Sequence, residues 1–174
     1  PMIGCLGVCP TWGQSIASLF AGAFGGNLDL PLVEKGATIF LPVFHAGGLV
    51  MVGDIHAAQG AGEIVGGAIE TSGVATLRFR RIAGRAILAP RLIAGGNIYA
   101  VATEGDLRLA VSTAFARLLE WLANDFGLSR WDAYQLLSQA GVLEVGGLSV
   151  VNCLTVAAGL SIDLLPSACR EEIG

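Results

Sequence analysis

The 174-residue sequence predicts a mainly β fold of the α+β type, in which a β-sandwich or barrel-like core carries a C-terminal helical hairpin packed on it. Many short apolar runs separated by glycine-rich turns fill the first two thirds of the chain, as is typical of sandwiches and barrels. From residue 106 the apolar residues change to helical spacing. The length suits a single domain with its own core, which we expect to span residues 1–174.

Seven short strands are predicted before this change. The first covers residues 1–9 and ends at Pro10, and turn signals separate the runs that follow. The other predicted strands lie at residues 38–44, 48–52, 63–69, 75–81, 86–88 and 98–102. Residues 70–73 predict a hairpin turn. Arg78 and Arg80 alternate with apolar residues, as on the solvated face of a strand.

Two helices and two closing strands are predicted in the last third of the chain. Asp106 is a suitable N-cap for a long amphipathic helix, and Gly127 lies just past its end. Ser129 opens a second helix that continues to about residue 140. The closing strands are predicted at residues 142–145 and 160–165.

The composition narrows the class of protein. Hydrophobic residues make up 53% of the chain and charged residues only 14%, so we expect part of the surface to be covered, in a homo-oligomer or by a partner chain. No apolar run is long enough to span a membrane. The net charge of −4 and the lack of a long basic stripe argue against a nucleic-acid partner.

The cysteines indicate the compartment. Cys5, Cys9, Cys153 and Cys169 are too few and too far apart for a disulfide scaffold. Because no signal peptide is evident either, we expect a cytoplasmic protein.

Residues 53–63 form the candidate site, because they place polar side chains among small residues between predicted strands. Asp54 and His56 are two residues apart, so on an extended strand they would face the same side. Their oxygen and nitrogen atoms suit zinc, and the amide oxygen of Gln59 suits a harder ion such as calcium. Glu63 could act as a general base. The alternative is a polar turn bonded to its own backbone, with His56 a satisfied, partly buried histidine.

Four phrases of the sequence carry a resemblance to a known family. They are Ile3-Gly4-x-x-Gly7-Val8-x-Pro10, then Gly25-Gly26-Asn27-x-Asp29, then Leu41-Pro42-Val43 through Gly53-Asp54-x-His56-Ala57-Ala58-Gln59-Gly60-x-Gly62-Glu63, and finally Gly127-Leu128-Ser129-x-x-x-Ala133-Tyr134-x-Leu136-x-Ser138. Together they resemble the acetamidase/formamidase family of amide hydrolases. The resemblance runs nearly end to end along this chain, but it covers only the C-terminal half of that family. One departure is Ala61, where the family usually has an acidic residue.

The resemblance implies metal-dependent hydrolysis of a small linear amide, of the formamide or acetamide type, to a carboxylate and ammonia. Asp54, His56 and Gln59 would then bind a divalent metal, with zinc favoured over calcium. Glu63 would be the catalytic residue that transfers the proton.

Asn27 and Asp29 are implied as substrate-binding or supporting residues, because the family's matching segment approaches the active site. The alternative for this pair is an Asx turn after two glycines. Because the chain resembles only half of the family's length, two other functions stay open. The chain could be one subunit of a split amidase, or a non-catalytic binding or assembly module.

Overall fold

The computed structural model describes residues 1–167 of the chain, which form two five-stranded antiparallel sheets and two helices. The first sheet has the spatial order β2-β3-β1-β5-β6, with β1 (Met2–Gly7), β2 (Ala21–Gly22), β3 (Gly25–Asn27), β5 (Met51–Ala58) and β6 (Ile69–Glu70). The second has the order β4-β7-β8-β10-β9, with β4 (Thr38–Phe40), β7 (Arg91–Ala94), β8 (Asn97–Glu104), β9 (Val142–Val145) and β10 (Leu154–Ser161). The helices are α1 (Leu107–Asp125) and α2 (Arg130–Ala140).

The second sheet is the middle layer of the molecule. Its central strands alternate between two apolar faces, because successive side chains of a strand point to opposite sides. Ala100 of β8 and Val156 of β10 pack in one cluster with α1 and α2. Val101 and Ala157 pack in a second cluster with Leu6 of the first sheet. The order of layers is therefore helices, second sheet, first sheet, and the mainly β fold with a helical hairpin is confirmed.

Both helices begin and end at the predicted signals. The Asp106 side chain accepts a hydrogen bond from the Leu109 N–H at 2.9 Å, and Gly127 follows α1 with a φ of 68°. Ser129 caps α2 by accepting from the Asp132 N–H at 3.1 Å. In residues 1–167 no helix is long and apolar enough to cross a membrane.

Five of the predicted strands form, in whole or in part. The strands predicted at 1–9 and 98–102 correspond to β1 and β8, and the one at 142–145 coincides with β9. The run at 38–44 is a strand only over its first three residues, and the run at 48–52 enters β5 at Met51.

Four strand predictions are wrong. The chain turns at 63–69, because Gly62, Glu63 and Gly66 have φ values of 84°, 42° and 72°. Residues 71–90 contain no strand or helix, so the strands at 75–81 and 86–88 and the hairpin turn at 70–73 do not form. The strand expected at 160–165 is displaced, since β10 ends at 161 and residues 162–164 form a 3-10 turn.

The short strands β2 and β3 were not predicted, and neither were β7 and most of β10. β7 follows Pro90, and a proline just before a strand is compatible with pairing. Most of β10 was missed because its run of small residues has low β-propensity. Burial on both faces stabilises it instead, since residues 155–160 are all buried.

Candidate metal-binding site

The central strand of the first sheet brings the polar residues together. β1 lies between β3 and β5, so residues from both neighbours meet beside it. The register pairs His56 of β5 with Met2. On the other side, the backbone N–H of Asp29 donates to the carbonyl oxygen of Gly4 at 3.1 Å. Asp29 and His56 are both almost fully buried, with 2% and 1% of their surface exposed.

Gly4 leaves the space that the cluster occupies. A Cβ at this position would lie 2.5 Å from Asp54 Oδ2, 2.6 Å from Asp29 Oδ1 and 3.0 Å from His56 Cε1. Packed atoms do not approach this closely without displacement. A glycine in β1 is therefore a condition for these three side chains to converge.

The orientation of the His56 ring is fixed by Gln59. His56 Nδ1 lies 2.7 Å from Gln59 Oε1, and the Gln59 amide group donates to the backbone oxygen of Asp29. Because the amide NH₂ is used on that carbonyl, its oxygen faces the ring and accepts from Nδ1–H. This assigns the proton of a neutral imidazole to Nδ1. The Nε2 lone pair is then directed at the carboxylates of Asp54 and Glu70.

Carboxylates surround His56 Nε2. Asp54 Oδ1 lies 3.1 Å away and Glu70 Oε2 lies 3.2 Å away, but Nε2 completes no hydrogen bond within the described residues, and neither does the buried Asp29 Oδ1. Asp29, Asp54 and His56 each offer a ligand atom within 4.8 Å of the others, and so do His56, Glu63 and Glu70. Buried polar atoms without partners are rare in folded proteins, and a cation between these two would give both of them a partner.

The electrostatics of the cluster also favour a cation. Burial raises the pKa of Asp29 to about 7, with further contributions from the charge and hydrogen bond of Glu63 and from Asp54. Burial opposes the charged form of His56, but its hydrogen bond with Gln59 and the nearby carboxylates of Asp54 and Glu70 outweigh this and raise its pKa. Without a metal, the cluster therefore holds protons in place of positive charge.

The backbone is unusual at the same residues. Asp29, Asp54 and Glu63 have φ values of 43°, 61° and 42°, in the left-handed region that non-glycine residues seldom adopt. Such conformations concentrate at functional sites, where the surrounding structure holds them. They also correct one expectation, because Asp54 does not reach His56 along a regular extended strand. A local turn of the backbone brings it there.

A hydrogen-bonded chain connects the cluster to an open cleft. The Asn27 amide donates to Asp29 Oδ2 at 2.6 Å, and its oxygen accepts from the Cys5 thiol at 2.7 Å. Burial, with the nearby Asp54, raises the pKa of Cys5 to about 12, so it stays a thiol. The cleft has a volume of about 480 Å³, and its lining includes Cys5, Asn27, Asp54 and Met51.

All six residues expected at the site lie in or beside this cluster. His56, Asp54 and Glu63 contribute ligand-type atoms, and Asp29, expected to have a supporting role, does so as well. Gln59 was expected as a ligand, but its oxygen is bonded to the imidazole, so its position is that of an orienting residue.

Gly4 and Glu70 were not predicted as site residues, although Gly4 belongs to the first phrase of the family resemblance. Glu70 was placed in a hairpin turn, whereas it pairs with His56 across β5 and β6. The free cysteines Cys5, Cys9 and Cys153 agree with the expected lack of a disulfide scaffold, and Cys169 lies outside the described residues.

Comparisons with known proteins agree on one family. A model of the Acetamidase/Formamidase family matches residues 21–162. The fold is similar to that of an acetamidase from Yersinia enterocolitica, with a TM-score of 0.87 and 35% identity, covering 95% of this chain and 50% of that chain. An acetamidase from Bacillus halodurans gives a TM-score of 0.86 and 35% identity, covering 93% and 54%. A formamidase from Methylophilus methylotrophus is 44% identical over 50 residues, which are 28% of this chain and 12% of the relative.

The chain thus spans about half the length of these solved relatives. The matched residues 21–162 include every member of the cluster except those on β1.

Proposed function

The chain belongs to the acetamidase/formamidase family, and on that premise we propose that it carries the metal site of a hydrolase for a small linear amide. The substrate is of the formamide or acetamide type, and the products are a carboxylate and ammonia. The observation that supports this most is a pair of buried atoms, His56 Nε2 beside its carboxylates and Asp29 Oδ1, that complete no hydrogen bond in residues 1–167.

The donor set suits zinc. His56 Nε2 with one oxygen each from Asp29 and Asp54 would give three protein ligands, and catalytic zinc sites keep a fourth position for water or substrate. Calcium is the second choice, because it prefers oxygen ligands alone and in larger number. When bound, the ion supplies a Lewis acid for the amide carbonyl and for the attacking water.

The side chains around the ligands have distinct tasks in this proposal. Gln59 keeps the imidazole in the tautomer that offers Nε2, and Asn27 holds one oxygen of Asp29 so that the other stays available. Glu63 takes a proton from water as the new C–O bond forms. It then gives that proton to the amide nitrogen as the C–N bond breaks and ammonia leaves.

We propose in addition that a second polypeptide or a second copy of the chain completes the site. Asp54 and Glu70 have side chains that are 32% and 54% exposed, and water screens exposed charges. Each solved acetamidase is about twice as long as the region that this chain matches, so the part that completes the site would correspond to their other half.

Ammonia release from formamide and acetamide tests the proposed activity, with Glu63→Gln as the diagnostic variant. The protein would be assayed alone and co-expressed with the half of the Yersinia enterocolitica acetamidase that lies outside the match. Loss of general-base catalysis predicts a fall in kcat of about 10²- to 10⁴-fold, with the bound metal retained. Glu34→Gln, an exposed position, is the control. Full activity in Glu63→Gln, or no ammonia from zinc-loaded protein in either preparation, would refute the assignment.

A further inference from the structure

Cys5 lies on the central strand β1, where the two proposed carboxylate ligands approach it from either side. The strand register places Cys5 opposite Asn27 of β3 on one side and opposite Gly53 of β5 on the other. Asp54 follows Gly53 directly, and Asp29 is two residues beyond Asn27. The Cys5 side chain is partly buried and lines the open cleft. It is therefore placed to contact residues that belong to both ligand segments.

The thiol of Cys5 sets the orientation of the Asn27 amide group. Its single hydrogen serves one acceptor at a time, and Asn27 Oδ1, at 2.7 Å from Sγ, is the nearest. Because the amide oxygen accepts from the thiol, the amide NH₂ faces Asp29 Oδ2, to which it donates at 2.6 Å. A reversed amide would bring its oxygen against the carboxylate, and two acceptors repel each other. The Cys5 donor thus favours the amide orientation that binds Asp29.

Both carboxylates divide their two oxygens in the same way. Asp29 uses Oδ2 for the Asn27 amide, and its Oδ1 completes no hydrogen bond in residues 1–167. Asp54 has Oδ2 at 3.5 Å from Cys5 Sγ and Oδ1 at 3.1 Å from His56 Nε2. One oxygen of each carboxylate therefore faces Cys5 or Asn27, and the other remains for a cation.

The surroundings of Cys5 argue against a nucleophilic role for the thiol. A cysteine nucleophile needs a thiolate, which a positive neighbour or a paired histidine stabilises. Cys5 instead faces Asp54 and lies close to Asp29, so a thiolate would add a third negative charge. The ring nitrogens of His56 face Gln59 and carboxylates, and neither of them bonds the thiol in the described part of the chain. Cys5 is therefore suited to donating a hydrogen bond.

We propose that Cys5 is a positioning residue of the metal site. Its thiol holds the Asn27 amide, the amide holds Asp29 Oδ2, and Asp29 Oδ1 is thereby presented to the ion. Hydrogen-bond partners of metal ligands fix the orientation of the ligands in this way without touching the ion. The inference rests on the proposed function, because it takes Asp29 as a ligand. It adds a residue that has no part in the proton transfer assigned to Glu63.

The hold of Cys5 on Asn27 can be tested in the metal-free protein. In ¹⁵N NMR spectra the Asn27 side-chain NH₂, assigned by its loss in Asn27→Asp, reports on the hydrogen bond to Asp29. Cys5→Ala removes the thiol donor, so this NH₂ should exchange with solvent at least about tenfold faster. Cys5→Ser keeps a donor and should exchange as the unmodified chain does. Equal exchange in Cys5→Ala and the unmodified chain would overturn the proposal.

Zinc affinity tests the consequence for the site. In isothermal titration Cys5→Ala should bind zinc at least about tenfold more weakly than the unmodified chain, as expected when a ligand loses its supporting partner. Cys5→Ser should bind nearly as tightly as the unmodified chain. Cys5→Val separates the hydrogen bond from packing, because valine fills the space of the thiol but donates nothing. Its zinc affinity should be as low as that of Cys5→Ala.

Cys9→Ala is the matched control for these variants. Cys9 is also a partly buried free cysteine, but its thiol donates to the carbonyl of the adjacent Pro10, at 3.6 Å. This variant should bind zinc as the unmodified chain does.

Two results of the titrations would overturn the proposal. One is full zinc affinity in Cys5→Ala. The other is an affinity restored by Cys5→Val and not by Cys5→Ser, because packing would then be responsible. An unmodified chain that binds no zinc would refute the proposed function, and with it the presentation of Asp29 to an ion. The exchange measurement on Asn27 is independent of metal, so the two failures can be told apart.

Discussion

Gly4 is the residue that allows the three proposed ligand side chains to meet. Its missing Cβ is the space in which Asp29, Asp54 and His56 converge, with contacts of 2.5–3.0 Å if a methyl group were added. Gly4→Ala should therefore push the ligands apart and weaken zinc binding by more than about tenfold, a range typical of misplaced ligands. Isothermal titration with zinc measures this directly.

Gly53 provides a control of the same size for that substitution. It lies on β5 next to Asp54, but a Cβ there would meet nothing within 4 Å. Gly53→Ala should bind zinc as the unmodified chain does. Equal zinc affinity in the Gly4 and Gly53 variants would contradict the packing argument for the site.

Asp29 links the stability of the metal-free protein to pH. Its pKa is raised from the ordinary 3.8 to about 7 by burial and by Glu63 and Asp54, so between these values the folded chain holds a proton that the unfolded chain releases. Stability should then fall as pH rises from about 4 to about 7. The raised pKa of His56 acts in the same direction, since its contribution is lost as pH rises through the folded value.

Urea unfolding of chelator-treated protein at pH 5 and pH 8 checks this coupling. We expect a loss of at least about 1.4 kcal/mol at the higher pH, which corresponds to one unit of pKa shift. Asp29→Asn should lose less, because its amide does not titrate, and zinc at pH 8 should restore the stability of the unmodified chain. An equal loss in Asp29→Asn would show that other groups cause it.

The sequence identifies those site residues whose partners in the site lie close to them along the chain. Asp54, His56, Gln59 and Glu63 lie within ten residues of one another, and their types suggest a metal site without knowledge of the fold. Glu70 could not be found in this way, because its place depends on the register between β5 and β6. The specific role of Gln59 depends on its bond to the Asp29 backbone, 30 residues away.

At the scale of elements, the helices were predictable and several strands were not. α1 and α2 are specified by local signals, namely their caps and apolar spacing. A strand also needs a partner, so its pattern alone does not decide whether it forms. Residues 75–81 have the pattern and lack a partner in the described chain, whereas β10 lacks a strong pattern and is stabilised by burial between β8 and β9.

Positive φ angles explain why the strand predicted at residues 63–69 does not form. Residues 63–69 contain enough apolar residues for a strand, but Glu63 and Gly66 turn the chain. A glutamate in the left-handed region cannot be foreseen from propensity. It follows from the fold around the cluster, which holds Glu63 beside Asp29 and His56.

At the scale of the whole molecule, the three layers have different roles. The second sheet and the helices form an apolar core, and the first sheet, which packs on the other face of the second sheet, carries the site. The low charged fraction of 14% fits a chain with part of its surface covered in the assembled protein.

The proposed activity depends on a metal site at His56, so the metal content of the natively purified chain tests it most directly. Elemental analysis should find close to one zinc ion per chain, and His56→Ala should lose it. His45→Ala is the control, because the only other histidine in the sequence lies 2.7 Å from the Pro10 carbonyl. We predict zinc in the unmodified chain and in His45→Ala but none in His56→Ala. Zinc retained by His56→Ala, or no binding by the unmodified chain in excess zinc at neutral pH, would contradict the site.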